Sequence, residues 1–194
     1  MKKTLMDLTK DDWNTMFPVE LLDHDPNWKH VFASEKGQIL EKIGSDKILR
    51  IEHFGSSSIP NIKAKPYIDL LIEIPDSLLF DEGLIEQFNS LGYTHFKVPE
   101  RDGIDAYMSF GKGYRLDGVK EQIFHIHMCP KNNVMWQQIN FRDYLIANEE
   151  RARAYENLKI ALANTYRNDR GAYVLGKTEF IKETLKLITL NNQN

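Results

Sequence analysis

Gly55-Ser56-Ser57-Ser58 directly follows the strand-like run KILRIEHF, and a carboxylate, Asp69, stands inside the next apolar run, YIDLLIEI. A glycine at a strand end lets the backbone come close to a phosphate, because no Cβ intervenes. The amides and hydroxyls after it, those of Ser56 and Ser57 first, can donate to phosphate oxygens. The loop lacks the GK[ST] ending of a Walker A loop and the glycine fingerprint of a dinucleotide fold, so alone it also reads as a plain polar turn. Asp69 adds weight. A carboxylate in a strand that is apolar on both faces is costly to bury unless it is paired or holds a metal. The connector between Gly55 and Asp69 has room for a turn, a short helix and a return strand, which would bring the two together. Lys63 and Lys65 in that connector could add positive charge, or either could be an ordinary solvated residue, the better reading for Lys63.

A second group lies in the strand-like FHIHMCP. His125 and His127 are two apart, so they share a strand face. With Asp69 they could ligate one metal, or they could hydrogen-bond to Asp69 or to phosphate and hold none. His53 reads as structural. Cys129 reads as a buried, inert thiol. It is the chain's one cysteine, so no intrachain disulfide and no multi-cysteine zinc site can form. Further along, Arg142, Lys159 and Lys177 fall on helical patterns beside apolar positions. They could reach over the cleft to phosphate oxygens, Arg142 in bidentate fashion, or they could belong to solvated, ion-paired faces. Tyr173 reads as an anchor for the last helix.

The elements that must position these residues follow from periodicity. Asp25 as N-cap and Pro26 at the first helical position open a helix with Trp28, Phe32, Ile39, Leu40 and Ile43 on one face, stopped at Gly44. Strands are expected over 47–55 and 67–74, the latter central because both its faces are apolar. A helix over 81–91, a strand over 93–98, a turn at PERDGID and paired strands over 106–111 and 119–129 follow. From residue 133 the pattern is helical. Asn148 is expected to end one helix and cap the next, and NDRG to form a turn. Residues 1–24 read as an extension of little periodicity, 25–130 as an α+β core and 131–194 as a helical part packed on it. The 194 residues are 42% hydrophobic and 27% charged, with a net charge of -3. This composition fits a globular chain and argues against bulk nucleic-acid binding or adhesion to an anionic membrane. No apolar stretch suits a signal segment or a membrane span, so the cytoplasm is the expected location.

A strand ending in Gly-Ser, a short connector and an Asp on the next strand resemble the nucleotidyltransferase superfamily typified by DNA polymerase β. HFGSSSIPNIKAKPYIDLLIEI resembles more closely the GrpB family, whose usual form is near HVGSTSVPGLAAKPIIDI. The likeness continues in FHIHMCP, in FRDYLIANEERARAYENLK and in Tyr173, Lys177 and Phe180, spanning roughly 18–190. It implies an α+β, nucleotidyltransferase-like (polymerase β-like) mixed sheet with flanking helices and a helical C-terminal part. The superfamily resemblance also implies in-line transfer of a nucleotidyl group by two Mg²⁺ ions, held by two carboxylates two apart on one strand and a third nearby. Here Leu71 stands at the second position, and Glu73 lies about 13 Å along the strand from Asp69.

Two functions are therefore expected. One is metal-dependent transfer from a nucleoside triphosphate to an unidentified acceptor. In it, Asp69, His125 and His127 are the catalytic and metal-binding residues for Mg²⁺ or Mn²⁺, or for Zn²⁺, and Gly55, Ser56, Ser57, Lys65, Arg142, Lys159 and Lys177 hold phosphate. The other is a non-catalytic nucleotide- or phosphate-binding module. A link to coenzyme A metabolism is implied by GrpB-like domains fused to dephospho-coenzyme A kinase in some chains.

Overall fold

The computed structural model describes residues 4–98 and 105–191, so most of the expected PERDGID turn lies outside the described residues. Among these, five strands form one mixed sheet: β1 (Arg50–Phe54), β2 (Tyr67–Glu73), β3 (Thr94–Phe96), β4 (Met108–Lys112) and β5 (Ile123–Cys129). Their order is β1-β2-β5-β4-β3. The β2–β5 pair is parallel and the others are antiparallel. The run YIDLLIEI is thus an interior strand, as its two-sided apolar character implies.

One sheet face is sealed. Ile68, Leu70 and Ile72 of β2 and Phe124, Ile126 and Met128 of β5 pack against α2 (Trp28–Ile43) and α3 (Glu82–Ser90), which contribute Trp28, Ile39, Ile43, Leu84 and Phe88. Side chains of this size each stabilise by about 1.5–3 kcal/mol when fully buried, so this layer dominates the core. The same interior holds Glu35, which accepts from Lys112 Nζ at 2.6 Å and from Tyr93 Oη at 2.9 Å. These donors are what make a buried carboxylate tolerable.

Helix α2 starts later than its sequence suggests. Asp25 does not cap it: its side chain accepts from the Asn27 amide, and its carbonyl from the Trp28 amide. Pro26 therefore lies in the turn before the helix. Gly44 ends it as expected, at φ +96°.

The C-terminal helices build a second core on the connector between β1 and β2. Ile59 and Ile62 of that connector pack with Phe141 and Leu145 of α4 (Gln137–Ala147) and with Ala152 and Tyr155 of α5 (Glu149–Thr165). Phe180, Ile181 and Leu185 of α7 (Thr178–Asn191) close this cluster. Asn148 ends α4 by donating to Tyr144 O at 2.7 Å, but its side chain makes no cap to α5. NDRG is not a simple turn. The Asp169 side chain caps the Ala172 amide and opens α6 (Arg170–Leu175). The N-terminal segment also holds a helix, α1 (Lys10–Met16), capped by Thr9, where the sequence reads as an irregular extension. Leu22 makes a two-hydrogen-bond bridge to Ala64.

Candidate functional site

The other sheet face carries the site, and it is organised in rows. Phe54, Asp69, His125 and Gly111 lie side by side across β1, β2, β5 and β4. The next row holds Glu52, Leu71, His127 and Ser109. The preceding row pairs Tyr67 with Ile123. Helix α4 covers one end, where Ile139 packs on Leu71, Phe54 and Cys129. The N-terminal segment covers the other, where Trp13 and Phe17 pack on Tyr67, Tyr114 and Ile123. The Asp69–His125 row between these covers keeps partial access to solvent, with side-chain exposures of 23% and 21%.

Gly55 and Asp69 are brought together as expected, and their contact explains the glycine. Gly55 has φ +72°, and a Cβ built there would stand 2.2 Å from Asp69 Oδ2. The carboxylate occupies the space a side chain would need. Asp69 Oδ1 faces His125 Nδ1 at 3.3 Å, and His125 Nε2 makes a hydrogen bond with Tyr114 Oη. Burial works against the ionised form of Asp69, but the His125 hydrogen bond and the charge of Lys65 outweigh it, so its carboxyl stays below the usual carboxylate range. Burial keeps His125 below the usual histidine range despite that carboxylate. The pair is therefore an ionised Asp and a neutral His near pH 7.

The expected three-ligand metal site is not assembled. Both ring nitrogens of His125 are engaged, by Asp69 and by Tyr114. His127 belongs to the next row, edge-on to Phe54 and stacked with Tyr107, and burial pushes its pKa down to about 4. Its Nδ1 is buried without a hydrogen-bond partner among the described residues. Leu71, beside it, is 0% exposed in an apolar cluster. Among the described residues no group of three His, Cys, Asp or Glu side chains could hold a metal ion. The donors present do not fit a resident Mg²⁺, Mn²⁺ or Zn²⁺ centre.

The expected phosphate ligands divide. Ser57 is consumed structurally: its hydroxyl donates to Tyr67 O at 2.6 Å and meets His53 Nε2 at 3.1 Å. Arg142 is consumed by Glu52 at 2.9 Å, by His53 O at 2.7 Å and by Asp143, so it straps α4 to β1 and does not face the cleft as a free fork. Lys159 is fully buried and donates to Lys63 O. Burial and nearby Lys177 push its pKa down to about 7. Lys63 itself reaches Asp23.

Lys65 and Lys177 remain. Both lie over the Tyr173 ring, at 6.0 and 4.8 Å from its centroid, and Lys65 lies 4.6 Å over Tyr67. Burial, Arg170 and Lys177 push Lys65 down to about 7, against the pull of Asp69. Ser56 stays at the turn, whose own hydrogen bonds run from the Ser58 amide to Gly55 O and from the Ile59 amide to Ser56 O.

Sequence reasoning missed Tyr67, Tyr114 and Arg170. Arg170 donates to Phe17 O at 3.1 Å, to Tyr67 Oη at 3.4 Å and to Tyr114 Oη at 3.2 Å. Asp169 as a helix cap was the one signal that could have placed Arg170 on an ordered element.

The GrpB protein family model matches residues 18–187. The chain belongs to the GrpB family. It is 34% identical over 168 residues to the glutamate-rich protein GrpB of Alkalihalophilus pseudofirmus, covering 86% of this chain and 94% of that one. It is 34% identical over 165 residues to the UPF0157 protein YqkA of Bacillus subtilis, covering 84% of this chain but 45% of that protein. The crystal structure of the conserved protein GrpB from Enterococcus faecalis superposes with a TM-score of 0.74 at 26% identity, over 90% of this chain and all of that one. The region matched by the family model holds the Gly55–Asp69 segment, the histidine strand and Arg170, and it begins after α1.

Proposed function

We propose that this GrpB chain binds the phosphate groups of a nucleotide-sized small molecule in the cleft between α4 and the N-terminal segment, and acts there as a binding module. One observation carries this reading. Lys65 and Lys177 both carry their ammonium groups over the Tyr173 ring, Lys65 also acts on Asp69, and neither has a salt bridge or side-chain hydrogen bond among the described residues. The two cations repel each other, Lys177 being one of the charges that lowers Lys65, and an anion bound at them relieves that repulsion. The Gly55-Ser56 turn adjoins Asp69 and can offer amide donors to a second phosphate oxygen.

A nucleotidyltransferase-like reading of the fold rests on the strand, Gly-Ser turn and Asp-bearing strand. The transfer reaction itself is disfavoured by Leu71, which fills the second carboxylate position with packed hydrocarbon. Titration calorimetry with ATP, dephospho-coenzyme A and inorganic tripolyphosphate, each with and without Mg²⁺ or Mn²⁺, tests the proposal. Binding lost in Lys65→Ala and Lys177→Ala is expected. Equal binding by wild type and both variants, or none by the wild type, defeats it. Pyrophosphate release from ATP would restore the transferase reading.

A further inference from the structure

A continuous polar chain runs from outside the family-matched region into the floor of the cleft. The Asn14 side chain accepts from the Arg170 amide at 3.2 Å, and Phe17 O accepts from the Arg170 guanidinium. Both residues precede residue 18, where the family match begins. The guanidinium then donates to the hydroxyls of Tyr67 and Tyr114, and it lies within 6 Å of the Trp13, Tyr67 and Tyr114 ring centroids. A Tyr114 hydroxyl that accepts from Arg170 is left with its own proton to give, and the acceptor in reach is His125 Nε2. With Nε2 accepting, the ring's one proton must sit on Nδ1, facing Asp69 Oδ1. Asp69 then has Oδ1 facing the His125 N–H, while Oδ2 occupies the space left by the missing Gly55 Cβ. Gly111 keeps Tyr114 in place from the sheet side, where a Cβ would press on the Tyr114 and Phe96 rings at 2.9 Å.

We propose that Arg170, clamped by Trp13, Asn14 and Phe17 of the N-terminal segment, is a positioning residue that acts through Tyr114 to hold His125 in its Nδ1–H form and so restrain the Asp69 carboxylate in the cleft. The part that concerns ligand affinity rests on the phosphate-binding reading above. An anion at Lys65 and Lys177 meets a carboxylate whose Oδ1 faces His125 and whose Oδ2 packs into the space beside Gly55, which restrains it from swinging toward the lysines. A free Asp69 would instead rotate onto the lysines and compete with the anion.

The test uses the full chain. Nitrogen-15 NMR of the histidine rings reports the His125 tautomer in wild type, Tyr114→Phe and Arg170→Lys. Tripolyphosphate is the binding probe. The expected wild-type form has Nδ1 protonated, the reverse of the form a free imidazole prefers. Tyr114→Phe removes the donor, and Arg170→Lys keeps the charge but cannot fork to two hydroxyls. Both are expected to mix or invert the tautomer and to weaken tripolyphosphate about tenfold, while the thermal midpoint moves too little to account for it. Glu121→Gln, on the exposed surface before β5, is expected to change none of these. A wild-type Nε2–H tautomer overturns the proposal, as does a tautomer unchanged in both variants. If wild type shows the Nδ1–H form and both variants lose it, but tripolyphosphate binds to none of the proteins, the positioning chain stands and the phosphate-binding reading falls.

Discussion

At the scale of single residues, Gly55 and Lys65 carry the sharpest expectations. Gly55 is needed because Asp69 fills the space of its missing Cβ and because its φ is +72°. Gly55→Ala is therefore expected to destabilise by about 1–3 kcal/mol in urea unfolding, through backbone strain and displacement of Asp69. The same substitution at the open glycine Gly37, where a Cβ meets nothing within 4 Å, is expected to cause no loss. Lys65 is pushed down to about 7, so it is protonated below that pH and neutral above it. Affinity for a phosphate compound is expected to be full at pH 6 and to decline as pH rises through 7 and 8. Lys65→Arg, which keeps its charge throughout, should flatten that profile in calorimetric titrations from pH 6 to 8.5. A wild-type profile already flat across that range would remove Lys65 from the ligand contact.

At the scale of elements, the site depends on how β2 is covered. Its outward row changes character at every second residue. Tyr67 lies under the N-terminal segment, Asp69 lies in the cleft, and Leu71 lies under α4. Position 71 is thus a packing position, although the nucleotidyltransferase resemblance implies a metal-binding carboxylate there. Leu71→Asp is expected to cost roughly 3–5 kcal/mol, because it places an unpaired charge among Phe54, Cys129 and Ile139. It should create no Mn²⁺ site. Chemical denaturation measures the first effect and Mn²⁺ titration the second. Tight Mn²⁺ binding by a stable Leu71→Asp protein would show that α4 yields to a metal centre after all. Arg142 makes the same point from the helix side. Its neighbours in sequence suggest a phosphate ligand, but β1 presents Glu52 and the His53 carbonyl to it first.

At the scale of the whole molecule, buried titratable groups give the fold a pH dependence that surface charges would not. Lys65 and Lys159 fall from an ordinary 10.5 to about 7 in the folded chain. Between those values the unfolded state holds more protons, so stability is expected to rise as pH climbs from 7 toward 10. His53 and His127 fall from 6.5 to about 4, so stability is expected to drop as pH falls through that window. Urea unfolding at pH 5, 7 and 9 measures both arms, and Lys159→Met should shrink the alkaline one. No helix among the described residues is long and apolar enough to cross a membrane. Much of that architecture was legible in the sequence. Period-two and period-3.6 patterns fix strands and helices locally, and they placed β2 inside the sheet and marked Gly55 and Asp69 as neighbours across a turn. Local patterns also located His125 and His127 on one face. What they could not decide was which rows of that face are covered, because covering is done by segments distant in the chain: α4, α6 and the N-terminal residues around Trp13. That tertiary choice buries Leu71, turns Arg142 and Lys159 inward to structural partners, brings in Arg170 on the tyrosine hydroxyls, and leaves Lys65 and Lys177 over the Tyr173 ring without a salt bridge or side-chain hydrogen bond among the described residues.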